Sequence, residues 1–320
     1  NVQPVIINNT MIYGAARGGH IRECGYNWQA NGFITGDMSL RSAHLFDNYD
    51  VTDMAYSKAP TPIIWMISSS GKLLGLTYVP EQSIGAWHWH DTDGSFESCT
   101  VVAEGKEDVL YVLVKRTING SSKRYIERMA SRLYTDQKNA FFVDCGATYD
   151  GTNTGSVTMT ISGGTTWAPG EDLTITASSA KFSYPGSSDV GDAVVLTDTD
   201  GTEYRLRIMS TSSTTVATVR TDKTIPAGLR NAAKTTWSLA RNSISGLSWL
   251  EGKTVNILAD GAVHPQRTVT SGSISLDRAA TIVNVGLAAR LPELGYLYWP
   301  ERKPTGRSKT ADNRTIRHCS

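Results

Sequence analysis

The chain has 320 residues, with 31 Lys or Arg against 30 Asp or Glu, a formal net charge of +1, and 40% hydrophobic residues. Near-neutrality excludes a surface that acts as a whole as an electrostatic trap for nucleic acid, so any polyanion contact has to be local. The length exceeds that of a usual single core and predicts two or three domains or one large closed β architecture.

The 29 glycines, the abundant Thr and Ser, and the lack of a long stretch rich in Ala, Glu, Lys and Leu predict an all-β chain of strands joined by tight turns. Cys24, Cys99, Cys145 and Cys319 are far apart and form no C-x-x-C pair, which argues against a zinc cluster or a dense disulfide framework. Reduced thiols in a protein assembled in the cytosol are expected. With no run of about 18 apolar residues and no basic-then-apolar leader, the sequence predicts a soluble protein without membrane insertion and without visible secretion. It starts at Asn1, directly in the strand-like Val2-Gln3-Pro4-Val5-Ile6-Ile7, and reads as a fragment of something longer.

An internal repeat organises the first half. Tyr13, Gly19 and Tyr26 are spaced by six and seven positions, and Trp65, Gly71 and Tyr78 keep the same spacing. A looser copy runs from Tyr111 through Gly120 to Tyr125. The leading aromatics lie 52 and 46 positions apart, close to the roughly 40 to 50 residues of one propeller blade. Met11–Tyr13, Ile63–Ile67 and Val109–Val114 are apolar runs that predict strands buried on both faces. Asn31-Gly32 and Asp93-Gly94 are hairpin signals, the second pairing Ile84–His90 with Ser95–Val102 to complete a four-stranded unit. Residues 37–46 predict a helix capped by Asp37.

From about residue 151 the chain turns rich in Thr, Ser and Gly, and the alternating segments 156–162, 172–178 and 203–210 predict a separate small β-barrel or sandwich over 151–242. Residues 243–300 return to hairpins, with Thr254–Leu258, an Asp260-Gly261 turn and a returning strand at Arg267–Val269. The segment 301–320 carries six Lys or Arg against Glu301 and Asp312, a net of +4, and predicts a flexible basic tail.

The first half resembles the tail nozzle proteins of short-tailed and related bacteriophages, also called packaged-DNA stabilisation proteins. The stretches that carry the likeness are Arg22-Glu23 with Tyr26, Gly32-Phe33 and Asp37-Met38-Ser39, then Pro62–Trp65 through Gly71–Tyr78, and Trp87–Gly94. The most specific is Val114-Lys115-Arg116-Thr117-Ile118-Asn119-Gly120 followed by Lys123–Arg128. Residues 155–240 resemble a small β domain called FCCH-like, through Asp189-Val190-Gly191-Asp192 and Pro226–Arg230. Asn256–Pro265, continuing to Gly286-Leu287, also looks like family sequence. The likeness covers about residues 5 to 290 and is absent from the last thirty.

The resemblance implies propeller-like blades, about three of them over 1–150, interrupted by the inserted domain. It also implies a non-catalytic virion protein of the tail, assembled in the host cytoplasm. Such a protein lines the DNA exit path and carries fibres or a needle. Its implied partners are further copies of itself in a ring, with a hexamer as the candidate number for the full-length protein, the adaptor, fibre and needle proteins, and genomic DNA in transit. No cofactor is implied.

Lys115, Arg116, Lys123, Arg124 and Arg128 form the densest basic cluster and are the candidates to face DNA in a channel, with a solvated face balanced by Glu107 and Glu127 as the plain alternative. His88 and His90 alternate on a strand and could share a metal, but no third ligand stands nearby in sequence, so packing against Trp87 and Trp89 is expected. Asp91-Thr92-Asp93-Gly94 and Asp198-Thr199-Asp200-Gly201 place carboxylates on turns, with hairpin turns favoured over calcium. Glu97, Glu104 and Asp108 form no distinctive hydrolase pattern. No nucleophile elbow, phosphate loop, dinucleotide fingerprint or Cys/His pair is present, which leans away from catalysis. The alternative function is a carbohydrate-binding or carbohydrate-cleaving β protein, with Trp167, Tyr184 and Trp237 as its stacking candidates.

Overall fold

A computed structural model describes residues 2–16, 20–82, 84–131, 133–288 and 294–298. The chain is all-β: every pairing between its named strands is antiparallel, and its helical segments among the described residues are short 3-10 turns. It divides into two compact units, Asn1–Arg132 with Ala289–Ser320, and Leu133–Ala288. The segment 301–320, with Cys319, and the repeat glycine Gly19 lie outside the described residues.

The first unit begins with a four-stranded sheet of β1 (Val5–Ile7), β2 (Thr10–Gly14), β3 (Ile21–Asn27) and β4 (Gly32–Asp37), each strand beside its neighbour in sequence. A second sheet has β5 (Val51–Ser57), β6 (Ile63–Ser68), β7 (Leu73–Val79) and β8 (Ile84–His90), with the strand Leu294–Tyr298 added along β8. β9 (Ser95–Glu104), β10 (Glu107–Ile118) and β11 (Ser121–Arg128) make a third. The repeated aromatics fall on the hairpins β2–β3, β6–β7 and β10–β11.

Every residue of β6 is buried. Ile64 and Met66 pack with Ile12, Ile21, Phe46, Leu74 and Trp87, while Ile63, Trp65 and Ile67 pack with Leu73, Phe96, Leu110 and Val114. Alternate side chains of one strand therefore serve two cores, which is why this run reads as continuously apolar. Burial on both faces does not extend to β2, where Ile12 alone is buried, or to all of Val109–Val114, where Tyr111 and Leu113 are half-buried.

Two expected local structures differ. Asp93-Gly94 does not join a hairpin: β8 pairs with β7, whereas β9 pairs with β10. Gly94 sits at φ +153°, and a β-carbon there would overlap the Lys115 carbonyl. Phe96 N donates to Gly71 O at 2.9 Å, so the chain changes layer at this point instead of turning back. Asp37 does not cap a helix over 37–46. It ends β4 opposite Arg22, its carboxylate accepts from Ser39 N and Oγ at 2.9 and 2.8 Å, and a 3-10 segment, Leu40–Leu45, breaks at non-helical Ser42.

The second unit opens with β12 (Val143–Asp150) and continues through β13 (Met159–Ser162), β14 (Leu173–Ala177), β15 (Ala193–Thr197), β16 (Glu203–Thr211), β17 (Val216–Thr221), β18 (Ala233–Lys234) and β19 (Trp237–Ile244). It ends with β20 (Thr254–Ala259), β21 (Ala262–Thr268), β22 (Ile274–Ala280) and β23 (Ile282–Ala288). One sheet runs β18-β13-β14-β17-β16-β15-β19-β22 and another β12-β23-β20-β21. Met159, Ile161, Leu173, Ile175, Val194, Leu206 and Val219 form one core, and Ile244, Leu250, Val255, Ile274 and Val283 another.

The expected barrel does not close. Leu239 N donates to Gly151 O and Asn153 N to Trp237 O, so residues 151–153 occupy the edge of β19 that β18 would need. The change of composition at 151 falls inside this unit, which already begins at Leu133. Asp260 and Gly261, both at positive φ, make a two-residue turn that pairs Ala259 with Ala262, and the returning strand consequently starts before Arg267.

Candidate functional site

The basic cluster lies on β10 and β11 but is mostly neutralised. Arg116, placed among the channel candidates by sequence, is 1% exposed. Its Nε and Nη2 donate to Glu127 at 2.7 Å each, and its Nη1 donates to Thr92 Oγ1 and to Asp93 O. This guanidinium is a buried tie and does not face a solvent path. A β-bulge leaves Glu97 unpaired in β9, where its carboxylate takes Arg124 at 2.6 and 3.1 Å. Glu104 takes Arg128 at 2.7 Å and the Tyr111 hydroxyl. The arginines hold the exposed carboxyls of Glu97 and Glu104 below the usual carboxylate range. Lys115 and Lys123 are the exposed cations of the cluster that form no ion pair among the described residues.

His88 Nδ1 and His90 Nε2 are 3.0 Å apart, and both rings meet Trp65, whose own ring is 3% exposed. A β-carbon at Gly75 would overlap the His88 ring, so that glycine makes room for the pair. No group of three His, Cys, Asp or Glu gathers as a metal site among the described residues. Asp200 accepts from Thr202 N at 2.8 Å and Thr202 Oγ1 at 3.0 Å, and Asp198 from Thr199 N at 2.8 Å, so both carboxylates serve their own turn.

Two of the three stacking candidates are core residues. Trp167 and Trp237 are 8% and 5% exposed, and Trp237 Nε1 donates to Val157 O at 2.8 Å. Their placement removes them as open sugar platforms. Tyr184, 52% exposed, remains at the surface. The Trp167 loop is held by Glu171, whose carboxylate accepts from the N–H groups of Thr165, Thr166 and Trp167.

Sequence reasoning missed two features. The first is an open cleft of about 560 Å³ in the second unit, lined in part by Tyr149, Asp189, Asp192, Arg241 and Asn242. Asp189 and Asp192 are each 2% exposed. Arg241 Nη1 donates to both, at 2.6 and 2.8 Å; Ser183 N and Oγ donate to Asp189, and Asn242 N to Asp192 at 2.7 Å. Burial raises the Asp192 carboxyl above its ordinary range, against the pull of Asn242 and Arg241. Burial opposes the charge of Arg241, yet the two carboxylates hold it above the usual guanidinium value. The signal in the sequence was Asp189-Val190-Gly191-Asp192, but its cation lies some fifty positions away in β19.

The second is an aromatic hairpin. Tyr26, Trp28 and Phe33 are 44%, 85% and 76% exposed, with the Tyr26 ring edge-on to the other two at 5.4 and 5.6 Å. The tip is fixed by Tyr26 Oη donating to Asn31 Oδ1 at 2.9 Å and by Ala30 N donating to Asn27 Oδ1 at 3.0 Å. β4 forms the edge of its sheet in the described strand order. Comparison of the sequence with protein-family models and with curated proteins gives no match.

Proposed function

We propose that the chain is a non-catalytic structural subunit of a bacteriophage tail, of the nozzle kind that its sequence resembles. It acts there as a rigid β platform to which other tail proteins attach. The observation that carries the attachment role is the Tyr26–Trp28–Phe33 cluster. Contiguous exposed aromatics on an ordered hairpin are characteristic of protein interfaces, in which large rigid rings supply buried area at low entropic cost. Support for the blade reading comes from three successive antiparallel sheets in sequence-neighbour order, the middle one with a core on each face. The separate core of Met159 to Trp237 supports reading that segment as an inserted FCCH-like module.

In this reading the chain forms a ring with copies of itself, and DNA passes a surface that grips it weakly. The pairing of Arg116, Arg124 and Arg128 with glutamates favours weak contact, because each phosphate neutralised adds salt-dependent affinity. The test is electron microscopy of particles assembled with a Trp28→Ser/Phe33→Ser chain. Distal appendages are expected to be lost while the chain itself is retained. Variant particles with a full set of appendages would overturn the role of the hairpin.

A further inference from the structure

We infer that the Asp189–Asp192–Arg241 cleft binds a neutral polyhydroxylated ligand, a saccharide in chemical class. The inference rests on how the hydrogen-bonding capacity of the cleft is spent. Both oxygens of each carboxylate already accept: Asp189 from Ser183 N, Ser183 Oγ and Arg241, and Asp192 from Asn242 N and Arg241. The guanidinium is only partly used. Nη1 serves both acids and a further bond joins the guanidinium to the Tyr149 side chain, which leaves part of its five-donor fork unspent, and the Arg241 side chain is 28% exposed in the cleft.

The cleft is also lined by Ser188, Ser243 and Ser245, whose hydroxyls bond to no described residue, and by Tyr149. The Tyr149 hydroxyl donates to Leu239 O at 2.8 Å, which fixes the ring in place. The cleft thus offers preorganised donors and rotatable hydroxyls. Its volume of about 560 Å³ falls within the roughly 300 to 1,000 Å³ of small-ligand sites.

Charge selects the ligand class. With both acids ionised the triad carries one net negative charge, so a phosphate or carboxylate would be repelled despite the arginine. A metal cation finds no open carboxylate, since each is already held by the guanidinium and by N–H groups. A neutral ligand whose hydroxyls accept from Arg241 and exchange hydrogen bonds with the serines meets neither obstacle.

The experiment is ligand-observed NMR on the full chain with glucose, galactose, mannose, N-acetylglucosamine and maltose. Inorganic phosphate and calcium are run as separate arms. Saturable binding of at least one sugar is expected. Ser245→Trp, an exposed rim position that leaves the triad intact, is expected to weaken it at least tenfold with an unchanged thermal midpoint, and Arg241→Gln is the second variant. No binding by any of the sugars, or sugar binding that Ser245→Trp leaves unchanged, would overturn the inference. So would phosphate or calcium binding that Ser245→Trp abolishes, since that would make the cleft an ion site.

Discussion

Arg116 and Glu127 form a two-point ion pair across β10 and β11, with both contacts at 2.7 Å and the guanidinium removed from solvent. A third arm of the same guanidinium holds Thr92 and Asp93, the stretch where the chain leaves one sheet for the next. Removing one partner strands the other charge in a poorly solvated place. Arg116→Ala is therefore expected to destabilise the protein by about 3 to 5 kcal/mol, measured by urea unfolding. A loss below about 1 kcal/mol would show that the tie does not hold the connection.

In the proposed reading, phosphate contact by the β10–β11 cluster falls to Lys115 and Lys123, because its arginines are paired with glutamates. Lys115→Ala/Lys123→Ala is expected to reduce the slope of log affinity against log salt by at most about 2, at about 0.9 per phosphate contact on duplex DNA. Arg124→Ala removes a cation and also frees Glu97, so it should weaken DNA contact through added negative charge. A slope several units steeper than two contacts allow, in the unmodified chain, would mean that the arginines leave their glutamates to meet phosphate.

The buried tryptophans yield a stability prediction where exposed ones would affect binding. Trp237→Ala is expected to cost about 3 to 5 kcal/mol, since it opens the core that holds Met159 and Leu206 and unpairs Val157 O. Trp28→Ser, at a ring 85% exposed, is expected to stay within about 0.5 kcal/mol of the unmodified chain in the same denaturant series. Reversal of this order would contradict the placement of both rings.

Glu171 gives an acid response within the second unit. The N–H of Thr165, with those of Thr166 and Trp167 and the Thr166 hydroxyl, pulls its carboxyl down to about 2. A carboxylate held below its unfolded value of about 4.3 stabilises the fold above that value, and the contribution is lost as pH falls toward about 2. Glu171→Gln should therefore flatten the fall in thermal midpoint between those limits, and an unchanged acid profile would refute the assignment.

Much of the fold was legible because it is local. Asp260-Gly261 turned where its positive-φ preference requires, and the alternating segments near 159, 173 and 203 became β13, β14 and β16. What escaped depends on partners distant in sequence. Asp93-Gly94 has the residues of a hairpin, but Gly71, Lys115 and Arg116 dictate a change of layer there. Whether Trp167, Trp237, Trp28 and Phe33 are covered or open is likewise set by sheet packing, which residue type alone does not reveal. The cleft acids were visible as a motif, but not the guanidinium that unites them.

Quantitative mass spectrometry of purified phage particles, joined to electron microscopy with an antibody against the Trp28 hairpin, tests the central proposal most directly. The proposal predicts the chain in every particle at a fixed small copy number, with label at the distal end of the tail. Particles that lack the chain, together with a chain that remains monomeric in the lysate, would contradict it.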